Sequence, residues 1–245
     1  MSRYKLRANY DIENIDSQKM DGTVIVDVPM LSNGELNYGL SHIKKKLYEE
    51  NVYPSEIGFD IMSLATMVYM ADTRIERVVH GQDSWTREIE LEIPVSNVEI
   101  WDSQIRTVER MLKFLTGDLW KITLSSRAWQ FNNLEEVREK SNKYDEVSLF
   151  SGGMDSLIST INLMENKKNT LLISHAGEGL TKNAQKNIVN KFDLLYPDVL
   201  HTWLDLWMVF PRDYIPAGGN DNNTRSRSFL FIGYALFAMT GMDNI

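Results

Sequence analysis

Apolar residues recur along this chain with two different periods, and the change from one to the other marks its organisation. Thr23 to Val28 is β-branched and predicts a strand, while Arg87 to Pro94 alternates, with Ile89, Leu91 and Ile93 opposite Glu88, Glu90 and Glu92. A period of two places one side-chain set in the core and the other in water, so this second strand is expected to be half-exposed. Between them Pro54 opens a segment in which Ile57, Ile61, Leu64, Ala65 and Val68 recur at helical spacing, predicting an amphipathic core helix. A further helix is expected from near Asp102. Its Ile105, Val108, Leu112 and Leu115 share a face, Asp102 is placed to cap the start, and Gly117 stands where a left-handed stop belongs. Trp120, Ile122 and Leu124 then alternate as a strand.

From Tyr144 the rhythm becomes strand, glycine turn, helix, strand, helix, which predicts a parallel α/β sheet. Val147 to Phe150 and Leu171 to Ser174 read as strands, Asp155 to Asn166 and Leu180 to Leu195 as helices, Val199 to Leu204 as a third strand, and Phe229 to Met239 as a final helix. Two breaks interrupt the pattern, a polar helix-like run from Asn132 to Lys143 and a turn-rich segment from Pro211 to Asn223. The expected division is an α+β domain over 1–131 for partner or substrate recognition, a connecting helix or linker over 132–143, and an α/β parallel-sheet domain over 144–245.

Composition narrows the function classes. Hydrophobic residues at 43% and charged residues at 24% of 245 are ordinary globular values, which excludes a disordered or collagen-like chain. The net charge of -8 is uneven: residues 1–147 carry 18 basic and 25 acidic side chains, residues 148–245 carry 8 and 9. Gripping duplex nucleic acid needs a basic face for counterion release, so that partner is not expected. An acidic front suits a protein partner better. The chain has no cysteine, so neither a disulfide nor a thiolate zinc site can form in it. No stretch approaches the ~18 apolar residues of a membrane span, and the start at Met1, Ser2, Arg3 and Tyr4 lacks the apolar core of a signal peptide. A cytoplasmic protein without a membrane partner is expected.

The strongest chemical signal is Ser151, Gly152, Gly153, Met154, Asp155, Ser156, between a strand and an amphipathic helix bearing Leu157, Ile158, Ile161 and Met164. Glycines let a backbone approach a phosphate, and the amides and dipole of a first helical turn favour an anion. Ser151 and Ser156 add hydroxyls. Asp155 would repel a bare phosphate, so its place here makes sense if magnesium bridges the two, which points to a nucleoside triphosphate. The turn is neither a Walker A loop nor the three-glycine dinucleotide fingerprint. A ligand-free reading uses the same groups, with Ser151 as a cap and Asp155 favouring the dipole.

Weaker signals surround it. Lys182 and Lys186 share a helical face, either as solvated charge or with Lys182 reaching phosphate. The segment from Pro211 to Ser228 is long for a connection and is expected to form a flap over a ligand. At its end Arg225 and Arg227 precede a helix whose start Ser226 or Ser228 can cap, so cation and dipole would face an anion; the alternative is ordinary loop charge. Trp85, Arg87 and Trp101 bracket the alternating strand, as structural residues or as anchors for a partner.

The turn resembles the Ser-Gly-Gly-x-Asp-Ser motif of the PP-loop ATP pyrophosphatases and matches it at every specified position. The context VSLFSGGMDSLISTINLM looks most like the 7-cyano-7-deazaguanine synthase (QueC-like) branch, and the chain as a whole resembles the QueC-like proteins of bacterial Qat anti-phage defence systems. The resemblance implies an adenine nucleotide alpha-hydrolase-like, Rossmann-like domain behind the α+β region. Its activity would be adenylation: ATP is cleaved to AMP and pyrophosphate, a carboxylate such as a deazaguanine carboxylate is activated as an acyl-adenylate, and an amine attacks to give an amide and then a nitrile. Ser151, Gly152, Gly153, Met154 and Ser156 would hold the departing pyrophosphate and Asp155 magnesium, while Ser174 and His175, with Ala176 and Gly177, fall where the adenine end is received. Protein partners from the same operon are implied. The branch often has an Arg-Asn pair before the final helix, whereas Arg227 is followed by Ser228. PP-loop enzymes also carry further strands after that helix, and the synthase branch a four-cysteine zinc cluster; with three strands from Tyr144 onward the domain is expected to be the amino-terminal portion of a longer one, or a short form completed by a partner or a second copy. The other classes the sequence admits are a non-catalytic assembly subunit with a relic turn and a PP-loop enzyme modifying transfer RNA.

Overall fold

The structure, a computed structural model, describes residues 3–131, 142–175, 179–223 and 225–243. Most of the expected linker over 132–143, together with Ala176 and Gly177, lies outside them. In chain order the elements begin with β1 (Arg3–Asn9), β2 (Asp16–Met20), β3 (Thr23–Pro29), β4 (Leu31–Ser32), β5 (Glu35–Leu36), α1 (Leu40–Glu49), α2 (Glu56–Arg74) and α3 (Arg77–His80). Then come β6 (Glu88–Val95), α4 (Val98–Asp102), α5 (Ile105–Thr116) and β7 (Leu119–Ser126). The last group is β8 (Glu146–Leu149), α6 (Met154–Glu165), β9 (Thr170–His175), α7 (Gly179–Leu195), β10 (His201–Leu206) and α8 (Arg227–Met239). The fold is α/β, with mostly parallel strands.

Two compact units form. The first takes Met1–Tyr38, Phe59–Asn132 and Val209–Leu230, the second Gly39–Gly58, Asn133–Met208 and Phe231–Ile245. The linear division at 131 and 144 therefore differs from the compact units, because α1 and the segment 209–230 each count with the unit distant in sequence.

The first unit is built on a five-stranded sheet of order β2-β3-β1-β6-β7, parallel except for the β2–β3 pair. Tyr4, Leu6, Val26, Ile89, Leu91, Ile93 and Ile122 are buried on one face, as the alternation predicts. The other face carries cross-strand ion pairs, Arg3–Glu88, Arg7–Asp27 and Lys5 with Glu90 and Glu92 at 3.3 and 3.0 Å. Such pairs let a mostly parallel sheet keep a polar side. The long helix α2 supplies Phe59, Met62, Ala65 and Val68 to the core, and its buried Asp60 accepts from Ser96, Trp101 and Arg127. Gly117 ends α5 in the left-handed conformation, φ 76°, as expected. Asp102 does not cap α5. It closes the short α4, which Asn97 caps through its side chain, and Gln104 precedes α5, because the chain turns once before the longer apolar stripe begins.

The segment expected as a flap is held within the first unit. Arg74 donates to the carbonyls of Phe210 and Pro211 at 2.7 and 2.8 Å, Asp221 N–H reaches Thr73 O at 3.0 Å, and Asn223 donates to Asp72 O at 3.1 Å. Of the residues bracketing β6, Arg87 and Trp101 are buried and structural, whereas Trp85 is 57% exposed.

The second unit holds three parallel strands in the order β10-β9-β8. Two successive crossovers through α6 and α7 build outward from β8, the half-pattern of a doubly wound, Rossmann-like sheet. The central β9 is buried along its whole length, as a parallel strand flanked on both edges must be. Phe150, Leu172 and Phe192 form the core, with Leu157 and Ile161 of α6 and Ile188 and Val189 of α7 packed against them. All three strands run the same way, so their carboxyl ends share one edge, where ligands of such sheets bind.

Candidate functional site

The turn after β8 lies on that edge. Phe150 N–H bonds Ile173 O at 2.7 Å, which ends the ladder and releases the chain into Ser151. Gly152 turns it with φ 82°, and Gly153, in extended backbone, stands before the first turn of α6. No side chain caps this helix. Ser151 Oγ instead accepts from Gly153 N–H at 3.2 Å and lies 3.1 Å from Ser156 Oγ, whose hydroxyl reaches Gly153 O at 2.9 Å. Ser151 thus tightens the turn rather than capping, and the N–H groups of Met154, Asp155 and Ser156 have no acceptor among the described residues. Those of Ser151 and Gly152 have none either. Five donors, two hydroxyls and a helix dipole meet at one exposed turn, which is the chemistry that receives an oxyanion.

Asp155 is exposed in the first turn of α6. Among the described residues no group of three or more His, Asp or Glu gathers into a metal cage. A carboxylate is the kind of group that holds magnesium, which proteins commonly bind by one or two carboxylates together with phosphate oxygens. Met154 is 70% exposed beside it.

Beneath the turn lies a residue absent from the sequence-based candidates. Gln185 of α7 is fully buried, and its Nε2 donates to Ser151 O at 3.0 Å and Phe150 O at 3.4 Å. Its Oε1 is buried without a hydrogen-bond partner. The sequence does carry a signal for it: Gln185, Ile188, Val189 and Phe192 occupy one helical stripe, and an amide in an apolar stripe needs a polar partner.

The other predicted contacts are spent internally to differing degrees. Ser174 is buried, accepts from Trp203 Nε1 at 2.7 Å and lies 3.5 Å from Leu204 O, so its hydroxyl joins β9 to β10. His175, 3% exposed at the end of β9, packs against Phe231 and Tyr234 with centroids 5.7 and 5.9 Å apart. Lys182 is half-exposed at the start of α7 and pairs with Asp205, one residue before the end of β10. It is therefore on the carboxyl edge of the sheet. Arg225 and Arg227 count with the first unit. Arg225 donates to Thr116 O at 2.8 Å and lies 4.4 Å from the centroid of Trp85, closing the end of α5. The anion at the amino end of α8 is Asp72, whose carboxylate accepts Ser226 N–H at 3.0 Å.

No family model, curated protein or solved structure matches the chain. No described helix is long and apolar enough to cross a membrane.

Proposed function

We propose that the Ser151–Ser156 turn binds the phosphates of ATP with magnesium, and that the chain belongs to an adenylating enzyme of the PP-loop type. The observation that carries this reading is the set of five backbone N–H groups, at 151, 152, 154, 155 and 156, that have no acceptor among the described residues, beside two serine hydroxyls, on the carboxyl edge of a parallel sheet. Donors fixed before the ligand arrives cost no reorganisation when negative charge grows on departing pyrophosphate. Asp155 would share magnesium with the phosphates, and the metal would supply further charge neutralisation there. Lys182, released from Asp205, would add a mobile cation at the same edge. The acceptor proposed from the motif's resemblance is a carboxylate such as a deazaguanine carboxylate, in a bacterial anti-phage setting. The internal commitments of Ser174 and Arg225 favour a second reading, a non-catalytic subunit that retains a nucleotide-binding turn.

The test is the thermal unfolding midpoint with and without saturating MgATP, run beside Asp155→Ala. Ligand at ~100 times its dissociation constant adds about 2.7 kcal/mol, which for a chain of this size raises the midpoint by roughly 5 to 10 °C. The expected result is a shift of that order, lost in the variant; no shift in a folded sample overturns the proposal. Product analysis separates the two readings, since adenylation gives AMP and pyrophosphate and a binding-only subunit gives neither.

A further inference from the structure

We infer that Gln185 is the positioning residue that aims the turn's amides outward, an inference that rests on the phosphate-binding reading of the same turn. Its Nε2 donates to two successive carbonyls, Phe150 O and Ser151 O. The peptides of this turn are trans, and in a trans peptide the C=O and the following N–H point in opposite directions. Drawing the carbonyls of Phe150 and Ser151 down toward α7 therefore turns the N–H groups of Ser151 and Gly152 away from it. Those are two of the five donors without an acceptor. One amide side chain sets the direction of both.

Three further observations tie Gln185 to this task. The side chain is fully buried, so water does not compete for its hydrogen bonds. Both of its partners are acceptors, which fixes the NH2 end toward the turn and leaves Oε1 buried without a partner. An apolar residue here would leave the carbonyls of Phe150 and Ser151 without this donor, so the amide answers the turn's backbone and not core packing alone. Finally, a Cβ built on Gly152 would lie 2.9 Å from Gln185 Cγ, so the motif's first glycine and this glutamine fit each other. Gln185 sits 33 residues beyond Gly152 in the sequence.

The test uses the whole chain with Gln185→Met and Gln185→Leu, each of which keeps apolar bulk at the position but removes the donor. Lys186→Met, an exposed change on the same helix, is the control. Two readouts are taken, the affinity for MgATP and for inorganic pyrophosphate with magnesium, and amide hydrogen exchange of the 150–157 segment in the ligand-free protein, read at its hydrogen-bonded amides Phe150, Gly153 and Leu157. Losing an aligned amide contact to a charged group weakens binding by about tenfold or more. The expected result is at least that loss for both Gln185 variants, with faster exchange confined to 150–157, an unfolding midpoint close to that of the parent, and no effect in the control. Variants that bind like the parent and exchange at its rate overturn the inference and leave the phosphate reading standing. A parent that binds neither probe overturns the phosphate reading, and the exchange measurement alone then decides whether Gln185 orders the turn. If Gln185→Met lowers the midpoint strongly, exchange is read on Gln185→Leu; unchanged protection of the hydrogen-bonded amides of 150–157 there overturns the inference.

Discussion

Gly152 and Gly153 are adjacent and look equivalent in the motif, yet their backbones ask different things of them. Gly152 has φ 82°, and a Cβ there would stand 2.9 Å from Gln185 Cγ, whereas Gly153 is extended and a Cβ there would meet only Ser151 Oγ at 3.4 Å. A left-handed torsion costs an L-residue about 1–2 kcal/mol, and Gln185 must also shift. Gly152→Ala is therefore expected to destabilise the protein by about 1–3 kcal/mol in urea unfolding, and Gly153→Ala by less than about 0.5 kcal/mol. Equal costs would show that the turn is not held as described. The turn itself was legible because its chemistry is local, six consecutive residues between a strand and a helix. Gln185, Ser174 and Arg225 were not legible in their roles. Their partners, Ser151 O, Trp203 Nε1 and Thr116 O, lie 34, 29 and 109 residues away, and no local pattern reports a contact at that separation.

Among the elements, those with an uninterrupted period were readable: β6, β7, α2, α6 and α7 fall within a few residues of their predicted limits. The strand β1 carries the same period of two as β6, with Tyr4, Leu6 and Ala8 against Arg3, Lys5 and Arg7, and was legible by the same rule; what the sequence hid is that its charged set faces the glutamates of β6 and Asp27. The helix α1 escaped because three consecutive lysines interrupt the stripe of Leu40, Ile43 and Leu47. What joins elements in the first unit is a buried charge cluster. Arg87 pairs with Asp72 at 2.5 Å and Asp118 at 2.6 Å, and Arg77 with Asp118 at 2.7 Å, all of them almost fully buried. Removing one partner strands the others, so Arg87→Met is expected to cost about 3–5 kcal/mol. The pH dependence has a defined sign. Burial pushes the Asp118 carboxyl up, but the hydrogen bonds and charge of Arg87, with Arg77, outweigh it and hold the group below the ordinary aspartate range. Glu50 is shifted in the same direction, burial being outweighed by Lys143, Tyr144 and Thr202. A carboxyl more acidic in the folded state stabilises fully above its unfolded pKa, about 4. That stability is lost as pH falls through the lower folded pKa. Urea unfolding from pH 7 to pH 3 should decline gently from about pH 6, because burial holds the His80 imidazole below its ordinary value, and more steeply below about pH 5 as the carboxylates protonate; in Arg87→Met this second, carboxylate part should be shallower, because Asp118 without Arg87 is less acidic in the folded state. A parent profile that rises on acidification would contradict the cluster's sign.

For the whole molecule, the consequential fact is that each compact unit gathers three separate stretches of sequence. The Ser151–Ser156 turn belongs to a unit that includes Gly39–Gly58, far upstream of Tyr144. Within it Ile43, Leu47 and Val52 are fully buried, and the Glu50 carboxylate accepts from Lys143, Tyr144 and Thr202, joining the end of α1 to the entrance of β8 and to β10. A fragment cut where the periodicity changes, 144–245, keeps the motif and all three strands but loses those apolar side chains and the acceptor of Tyr144 and Thr202. Fully burying each of three aliphatic side chains contributes about 1.5–3 kcal/mol, together comparable with the whole stability of a typical domain, about 5–15 kcal/mol. The fragment is therefore expected to lack a cooperative thermal transition, to give poorly dispersed amide resonances and to show no midpoint shift with MgATP, while the full chain melts cooperatively, gives dispersed resonances and shifts with MgATP. A fragment 144–245 that melts cooperatively and responds to MgATP would mean that α1 is an accessory to this unit rather than part of its core.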